Sequence, residues 1–423
     1  MKFRPLAAEY EPHVEVLKNT TGKEPCGEGP TGFTELFKDR FKKLSRVLRA
    51  GGFNGAARDV CVLDGLAGLQ QMPDRRPVIV VGMVADKHRS AAGNVVIKLE
   101  DVNDTILALA FKNSTSFAKS EYMVPDEVVG IVGSVRNGGG RARIFVNDIV
   151  WPDLPGQISK TSSDALSSPL SVAMISDLHV GSDKFLEESF LKFTQWLHTE
   201  AAGNVKYIIV AGDVVDGIGV YPGQEKELLI GNVFKQYEVA AKLLAEIPDY
   251  MTVIVIPGNH DAVRGAEPQP PIPKDVASDF HGNVMMLGNP ALVSIEGVRI
   301  LAYHGKGLDD IIGLLPGLSY QRPAQAMTHL LQKRHLAPVY GGKVMTAPLG
   351  YDALVVDDPV PDVLLFGHAH VCDHAVYKGV QIVNSGTFQS TTEFIRKRGI
   401  EPTPGRVPIL NLQTKQIEVI DFA

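Results

Sequence analysis

Five apolar runs in this chain each lead straight into a cluster of residues able to bind a metal ion. Val172–Ile175 runs into Ser176-Asp177-Leu178-His179, and Tyr207–Val210 into Gly212-Asp213-Val214-Val215-Asp216. Val253–Ile256 precedes Gly258-Asn259-His260-Asp261, Arg299–Ala302 precedes Tyr303-His304-Gly305, and Val363–Phe366 precedes Gly367-His368-Ala369-His370. A lone histidine after a strand is ordinarily structural, and an aspartate after glycine ordinarily caps a turn. Five clusters at the same place in the strand–loop unit argue otherwise, because loops at the carboxyl ends of strands line the crevice of an open α/β sheet.

The residue types define the chemistry. Asp177 and His179 are one residue apart, so an extended backbone sends both to one side; His368 and His370 repeat the fork. With Asp213, Asn259 and His304 the set reaches seven ligands, which suits two divalent ions sharing a carboxylate better than one tetrahedral zinc. Imidazole mixed with oxygen and lacking thiolate favours Mn²⁺, with Fe or Zn²⁺ as alternatives. Two ions roughly 3.5–4 Å apart clamp the attacking and leaving oxygens of a phosphate ester.

These motifs must be held by regular elements. The alternation of strands and helices after residue 170 predicts a layered α/β domain. Helical faces carry Leu186, Phe190, Phe193 and Leu197, then Phe234, Tyr237, Ala241 and Leu244. Before it, five short β-branched runs between Pro77 and Val150 suit a small barrel of the OB type. A stripe of Phe33, Leu36, Phe37, Phe41, Leu44 and Leu48 predicts an amphipathic helix whose opposite face is basic. The expected organisation is therefore a tail and helix over 1–50, a barrel over 70–152, a Ser/Pro-rich linker over 153–169, and an α/β domain over 170–423.

At 423 residues the chain is long enough for two or three domains. Its 42 basic and 48 acidic residues give a net charge of −6, which argues against coating nucleic acid by bulk charge. Three separated cysteines form neither a disulfide framework nor a zinc cage. No apolar run approaches the roughly 20 residues that span a bilayer, and no export signal opens the chain, so a cytoplasmic protein is expected.

The ordered set DxH, GDxxD, GNHD, His-Gly and GHxH resembles the calcineurin-like metallophosphoesterases. That resemblance implies a β-sandwich flanked by helices. It implies one ion held by Asp177, His179, Asp213 and His370, and a second by Asp213, Asn259, His304 and His368. By the same resemblance His260 protonates the leaving oxygen, while Asp216 and Asp261 act as supports or caps. Helix, barrel and phosphoesterase in this order, with the segments Pro316–Pro323, Lys333–Pro338, Asn384–Gln389 and Gly405–Pro408, look like the small subunits of archaeal family-D DNA polymerases. Many of those carry a long N-terminal extension, of which Met1–Gly32 would be a remnant. The resemblance implies a 3′–5′ proofreading exonuclease acting on a DNA primer 3′ end and bound to a large catalytic subunit. The alternatives are a catalytically idle structural subunit and a free-standing phosphoesterase or repair nuclease. Arg322, Lys333, Arg334, Phe388, Arg396 and Arg398 are the expected DNA contacts. The barrel, with Val407, Ile409 and Leu410, is the expected docking surface.

Overall fold

The structure, a computed structural model, describes residues 4–26, 30–53, 60–138, 141–156 and 168–423. Its first strand overturns the expectation of a tail. Val14–Lys18 form β1, antiparallel to residues 292–295, and Ala7 ahead of it is fully buried in the same core. Five residues that do not alternate in burial, and whose partner lies far along the chain, leave no local period to read.

Helix α1 (Pro30–Val47) starts with proline in its first turn, where the missing N–H costs nothing. Its stripe packs Leu44, with Leu48, Phe37 and Phe41, against Val81, Met83 and Val128 on one side and Val355 on the other. The basic face is not wholly solvated. Arg40 is buried, and its guanidinium donates to Asp352 Oδ2 (2.7 Å), Pro338 O (2.6 Å) and Asp126 O (3.0 Å).

The barrel follows: β2 (Cys61–Val62), β3 (Pro77–Arg89), β4 (Val95–Glu100), β5 (Thr105–Ala110), helix α2 (Thr115–Ser120), β6 (Val128–Gly138) and β7 (Arg141–Val150). The order β3-β4-β5-β7-β6 closes through a β3–β6 pairing into a five-stranded barrel, with β2 added beside β3. Alternate residues such as Val78, Val80, Ile97, Leu99, Ile131 and Ile144 fill it. Register shifts at Val84/Asp86 and Val132/Gly133 bend the strands toward closure.

Two six-stranded mixed sheets make up the rest. The elements are β8 (Ser171–Ile175), α3 (Glu187–Leu197), β9 (Val205–Ala211), α4 (Val233–Leu244), β10 (Thr252–Ile256), β11 (Val284–Met286), β12 (Ala291–Ile295) and β13 (Val298–Ala302). Then come α5 (Leu308–Leu314), α6 (Pro323–Lys333), β14 (Val363–Phe366), β15 (Cys372–Tyr377), β16 (Val380–Ser385), α7 (Glu393–Lys397), β17 (Arg406–Asn411) and β18 (Ile417–Asp421). One sheet has the order β11-β10-β9-β8-β17-β18, the other β1-β12-β13-β14-β16-β15. Val172, Ile209 and Ile254 of the first meet Val293, Ile300 and Leu365 of the second in one core. Helices α3 and α4 cover the outer side of the first sheet, and α5 and α6 that of the second. Strands covered on both faces read as unbroken apolar runs, as in the fully buried β14. Val407 and Leu410, expected on a docking surface, are wholly buried in β17. Of the linker expected over 153–169, residues 157–167 lie outside the described residues; Asp153 before them accepts hydrogen bonds from Tyr377 and Lys378. Among the described residues no helix is long and apolar enough to cross a membrane.

Buried charges join the parts. Besides Arg40, Lys333 at the end of α6 donates to Glu127 of the barrel (2.6 Å), and His335 Nε2 lies 2.9 Å from Asp352 Oδ2. Burial, with Arg40 beside it, pushes His335 down to about 4, so it is neutral in the folded protein near pH 7. Between pH 6.5 and 4 the unfolded chain then binds the extra proton, and stability falls as pH drops through that window. Urea unfolding is expected to show this slope in the wild type and a flatter one in His335→Gln. Arg40→Ala is expected to cost about 3–5 kcal/mol because Asp352 is left buried and underpaired.

Candidate metal centre

The forks expected from extended backbone arise differently. Asp177, His179, Asp213, His368 and His370 all take left-handed backbone, with φ of 51°, 53°, 53°, 64° and 57°. Each such non-glycine residue costs on the order of 1 kcal/mol or more, and persists only where its surroundings fix it. Here the turns brace one another: Asp177 N–H donates to Gly212 O (2.9 Å) and His179 N–H to Asp213 O (3.1 Å). Gly258 must be glycine, since a Cβ there would overlap Asp213 Oδ1.

These turns bring together Asp177, His179 and His370 in one group, and Asp177, Asp213 and His304 in another, each able to hold a metal ion. His179 Nδ1 is 3.0 Å from Asp216 Oδ1, which turns Nε2 inward, 3.1 Å from His370 Nε2 and 3.7 Å from Asp213 Oδ2. His304 donates from Nδ1 to Ala211 O (2.9 Å), which aims its Nε2 at Asp213 Oδ2 (3.3 Å) and Asn259 Oδ1 (3.1 Å). Asp177 is common to both groups, while Asp213 Oδ2 lies between His179 and His304 and Asp213 Oδ1 accepts from the His260 N–H (2.8 Å).

The donor set fits a cation. Asp177 Oδ1 is buried without a hydrogen-bond partner, with His370 Nε2 3.3 Å away, and the Nε2 atoms of His179 and His370 face each other at 3.1 Å. Burial alone would raise the Asp177 and Asp213 carboxyls, but the surrounding imidazoles hold both well below the usual range. Burial would likewise lower His179; Asp177, Asp216 and Asp213 outweigh it and push the imidazole up to about 10. Protons thus stand where a metal ion would compete for the same lone pairs.

His368 departs from the expected set. Its Nε2 faces Asp309 Oδ1 (3.3 Å), an acid that also accepts from Tyr320 and Arg398. Asp309 has no motif spacing and was not foreseen. Asp261 accepts from Gly258 N–H (2.8 Å) and Tyr237 (2.9 Å), while Asp216 forms with His179 and His260 a third group able to hold a metal ion. His260 is held by Nδ1 to Asp216 O (2.7 Å) and lines a cleft of about 640 Å³ together with His179, Asp213 and His370. Burial lowers its pKa despite Asp213 nearby.

Three of the expected DNA contacts are turned away from solvent. Lys333 is buried on Glu127, and Arg334 is 2% exposed. Phe388 sits in the core with Phe190 and Phe193 at 5.3 and 6.2 Å. Arg322 and Arg396 are exposed but do not line the cleft, whereas Arg398 does.

Residues 172–373 match the DNA polymerase alpha/epsilon B-subunit family. The "DNA polymerase II small subunit" of Methanothermobacter thermautotrophicus is 45% identical over 96% of this chain and 83% of its own length. This chain belongs to the family of archaeal DNA polymerase II small subunits. The Pyrococcus abyssi member is 38% identical over 96% of this chain, which spans 65% of that relative's length. Among solved structures, one described as a novel archaeal phosphodiesterase is 14% identical with a TM-score of 0.29, covering 59% of this chain and 99% of its own.

If the cluster holds metal, Mn²⁺ is expected to raise the unfolding temperature, since a ligand that binds the folded state stabilises it. Asp213→Asn is expected to abolish that shift in a thermal-denaturation scan. An equal shift in the wild type and the variant would exclude the cluster as the site.

Proposed function

We propose that this chain is the proofreading 3′–5′ exonuclease subunit of a cytoplasmic replicative DNA polymerase, hydrolysing the terminal phosphodiester of a primer. The observation that carries the reading is the buried rim of acids and imidazoles, with Asp177 Oδ1 unpartnered and the Nε2 atoms of His179 and His370 face to face. Two helix-covered sheets sharing a core agree with a metallophosphoesterase domain over 170–423, preceded by a barrel over 70–152.

Asp177, His179, Asp213 and His370 would hold one divalent ion. Asp213, Asn259, His304 and His368 would hold the other, His368 on leaving its contact with Asp309. Bound Mn²⁺, or Fe or Zn²⁺ in its place, supplies Lewis-acid charge on the phosphate and a nucleophile at neutral pH. The chain's own residues do the rest. Asp216 fixes His179 and, through its carbonyl, His260. His260 is neutral in the free protein, and a phosphate in the cleft is the anion that raises its pKa. Its protonated imidazole then gives a proton to the departing 3′ oxygen.

The partner is a large polymerase subunit. With a net charge of −6 the chain has no bulk attraction for DNA. Tethering to the synthesis site supplies the frayed primer end at high local concentration instead.

The test is hydrolysis of a mismatched primer by the complex with the large subunit, with Mn²⁺. Asp213→Asn is expected to abolish release of 5′-mononucleotides. His260→Ala is expected to lose about 10²–10⁴-fold, the usual worth of a general acid. An activated leaving group should partly rescue it. Wild-type rates in His260→Ala would remove it from the mechanism, and a fully active Asp213→Asn would remove the nuclease site.

A further inference from the structure

Two long cationic side chains line the cleft beside His179, Asp213 and His260, and they differ in what already occupies them. Arg398 faces Asp309 (3.4 Å) and covers the Phe394 ring, whose centre is 4.5 Å from the guanidinium. The Lys306 ammonium, on a half-buried residue, has no hydrogen bond or ion pair among the described residues. The acids around it are engaged elsewhere. Asp309 holds His368, Tyr320 and Arg398, Asp310 accepts the backbone N–H groups of Lys343 and Val344, and Glu267 accepts from Tyr303.

The backbone that carries Lys306 is fixed on both sides. Lys306 follows His304 by two residues, in the turn leading from β13 to α5. Gly305 takes φ of 120°, and a Cβ there would come within 3.1 Å of Gly367 O in the turn that bears His368. The Gly307 N–H donates to Tyr303 Oη (2.9 Å), and Lys306 O accepts from the Asp309 N–H (3.1 Å). A positive charge just ahead of a helix start gains nothing from the helix, whose first N–H groups already carry positive charge. Without a partner of its own, Lys306 contributes no ion pair to the fold, yet its charge stands in a partly enclosed cleft, where an anion feels it more strongly than in open water.

Resting on the nuclease reading above, we propose that Lys306 clamps the phosphate under attack, its ammonium meeting a non-bridging oxygen of the terminal phosphodiester. When water attacks, a new P–O bond forms, the bond to the departing 3′ oxygen breaks, and negative charge builds on the non-bridging oxygens. The contact therefore strengthens toward the transition state. Lys306 keeps its proton throughout, and the proton for the departing oxygen still comes from His260. The released 5′-monophosphate carries the same oxygens and is held by the same ammonium.

The test follows binding of 5′-dAMP to the full chain with Mn²⁺ by calorimetry, with deoxyadenosine as the control lacking phosphate. The wild type is expected to bind the nucleotide more tightly than the nucleoside. Lys306→Ala is expected to lose about 10–150-fold of nucleotide affinity, the worth of one hydrogen bond to a charged group, and Lys306→Arg to keep most of it. Mn²⁺ is expected to raise the unfolding temperature of Lys306→Ala as much as that of the wild type. In the complex with the large subunit, kcat on a mismatched primer is expected to fall in Lys306→Ala by at least the same factor and to recover in Lys306→Arg. Nucleotide binding that depends on Lys306, without hydrolysis by any form, would leave the clamp standing and remove the nuclease reading. A wild type that binds nucleotide no better than nucleoside, or a Lys306→Ala variant that binds and turns over like the wild type, would overturn the clamp. Loss of the Mn²⁺ shift in Lys306→Ala would overturn it too, by making the lysine a support of the metal centre.

Discussion

Asp177 and Asp213 stand at the ends of adjacent parallel strands, enclosed so fully that almost no solvent reaches either. A carboxylate taken out of water is costly unless positive charge meets it. Here the compensating groups are imidazoles from the Asp177 turn itself and from three others, and Asp177 Oδ1 is still left without a hydrogen-bond partner. The architecture thus leaves a cluster of acids and imidazoles that could hold a cation. The left-handed backbone at five of the seven candidate ligands has the same origin, since only sharp turns at the strand ends aim side chains from both sheets into one point. Their strain is borne by cross-turn hydrogen bonds and by the continuous apolar cores behind them.

The rest of the molecule steadies that rim. Helix α1 sits between barrel and α/β layers, and Arg40 satisfies acceptors from both. Lys333 reaches from the end of α6 to two acceptors of the barrel segment, Tyr122 O and Glu127 Oε2. Such pairs add little net stability, but losing one partner leaves a buried charge exposed to a low dielectric. They fix how the barrel meets the domain carrying the ligands.

Much of the site was legible because its signals are local. An apolar run followed by Gly and a ligand residue is visible in a short stretch, and Asp177, His179, Asp213, His304 and His370 do converge. What failed depended on distant partners. β1 is five residues long and pairs with β12 far along the chain. Lys333 and Arg334 look like DNA-facing cations until Glu127 and the covering chain are placed around them. Phe388 follows a motif but points into the core. Asp309, which faces His368 Nε2 at 3.3 Å, has no spacing signature; only the folded cleft puts the two side by side.

The central claim is that the rim holds two divalent ions sharing Asp213. Anomalous diffraction at the manganese edge, from crystals of the full chain grown with Mn²⁺, tests it without reference to turnover. Two peaks are expected flanking the Asp213 carboxylate, one beside Asp177, His179 and His370 and the other beside Asn259 and His304. No peak at Asp213, or metal bound only elsewhere on the chain, would contradict the claim.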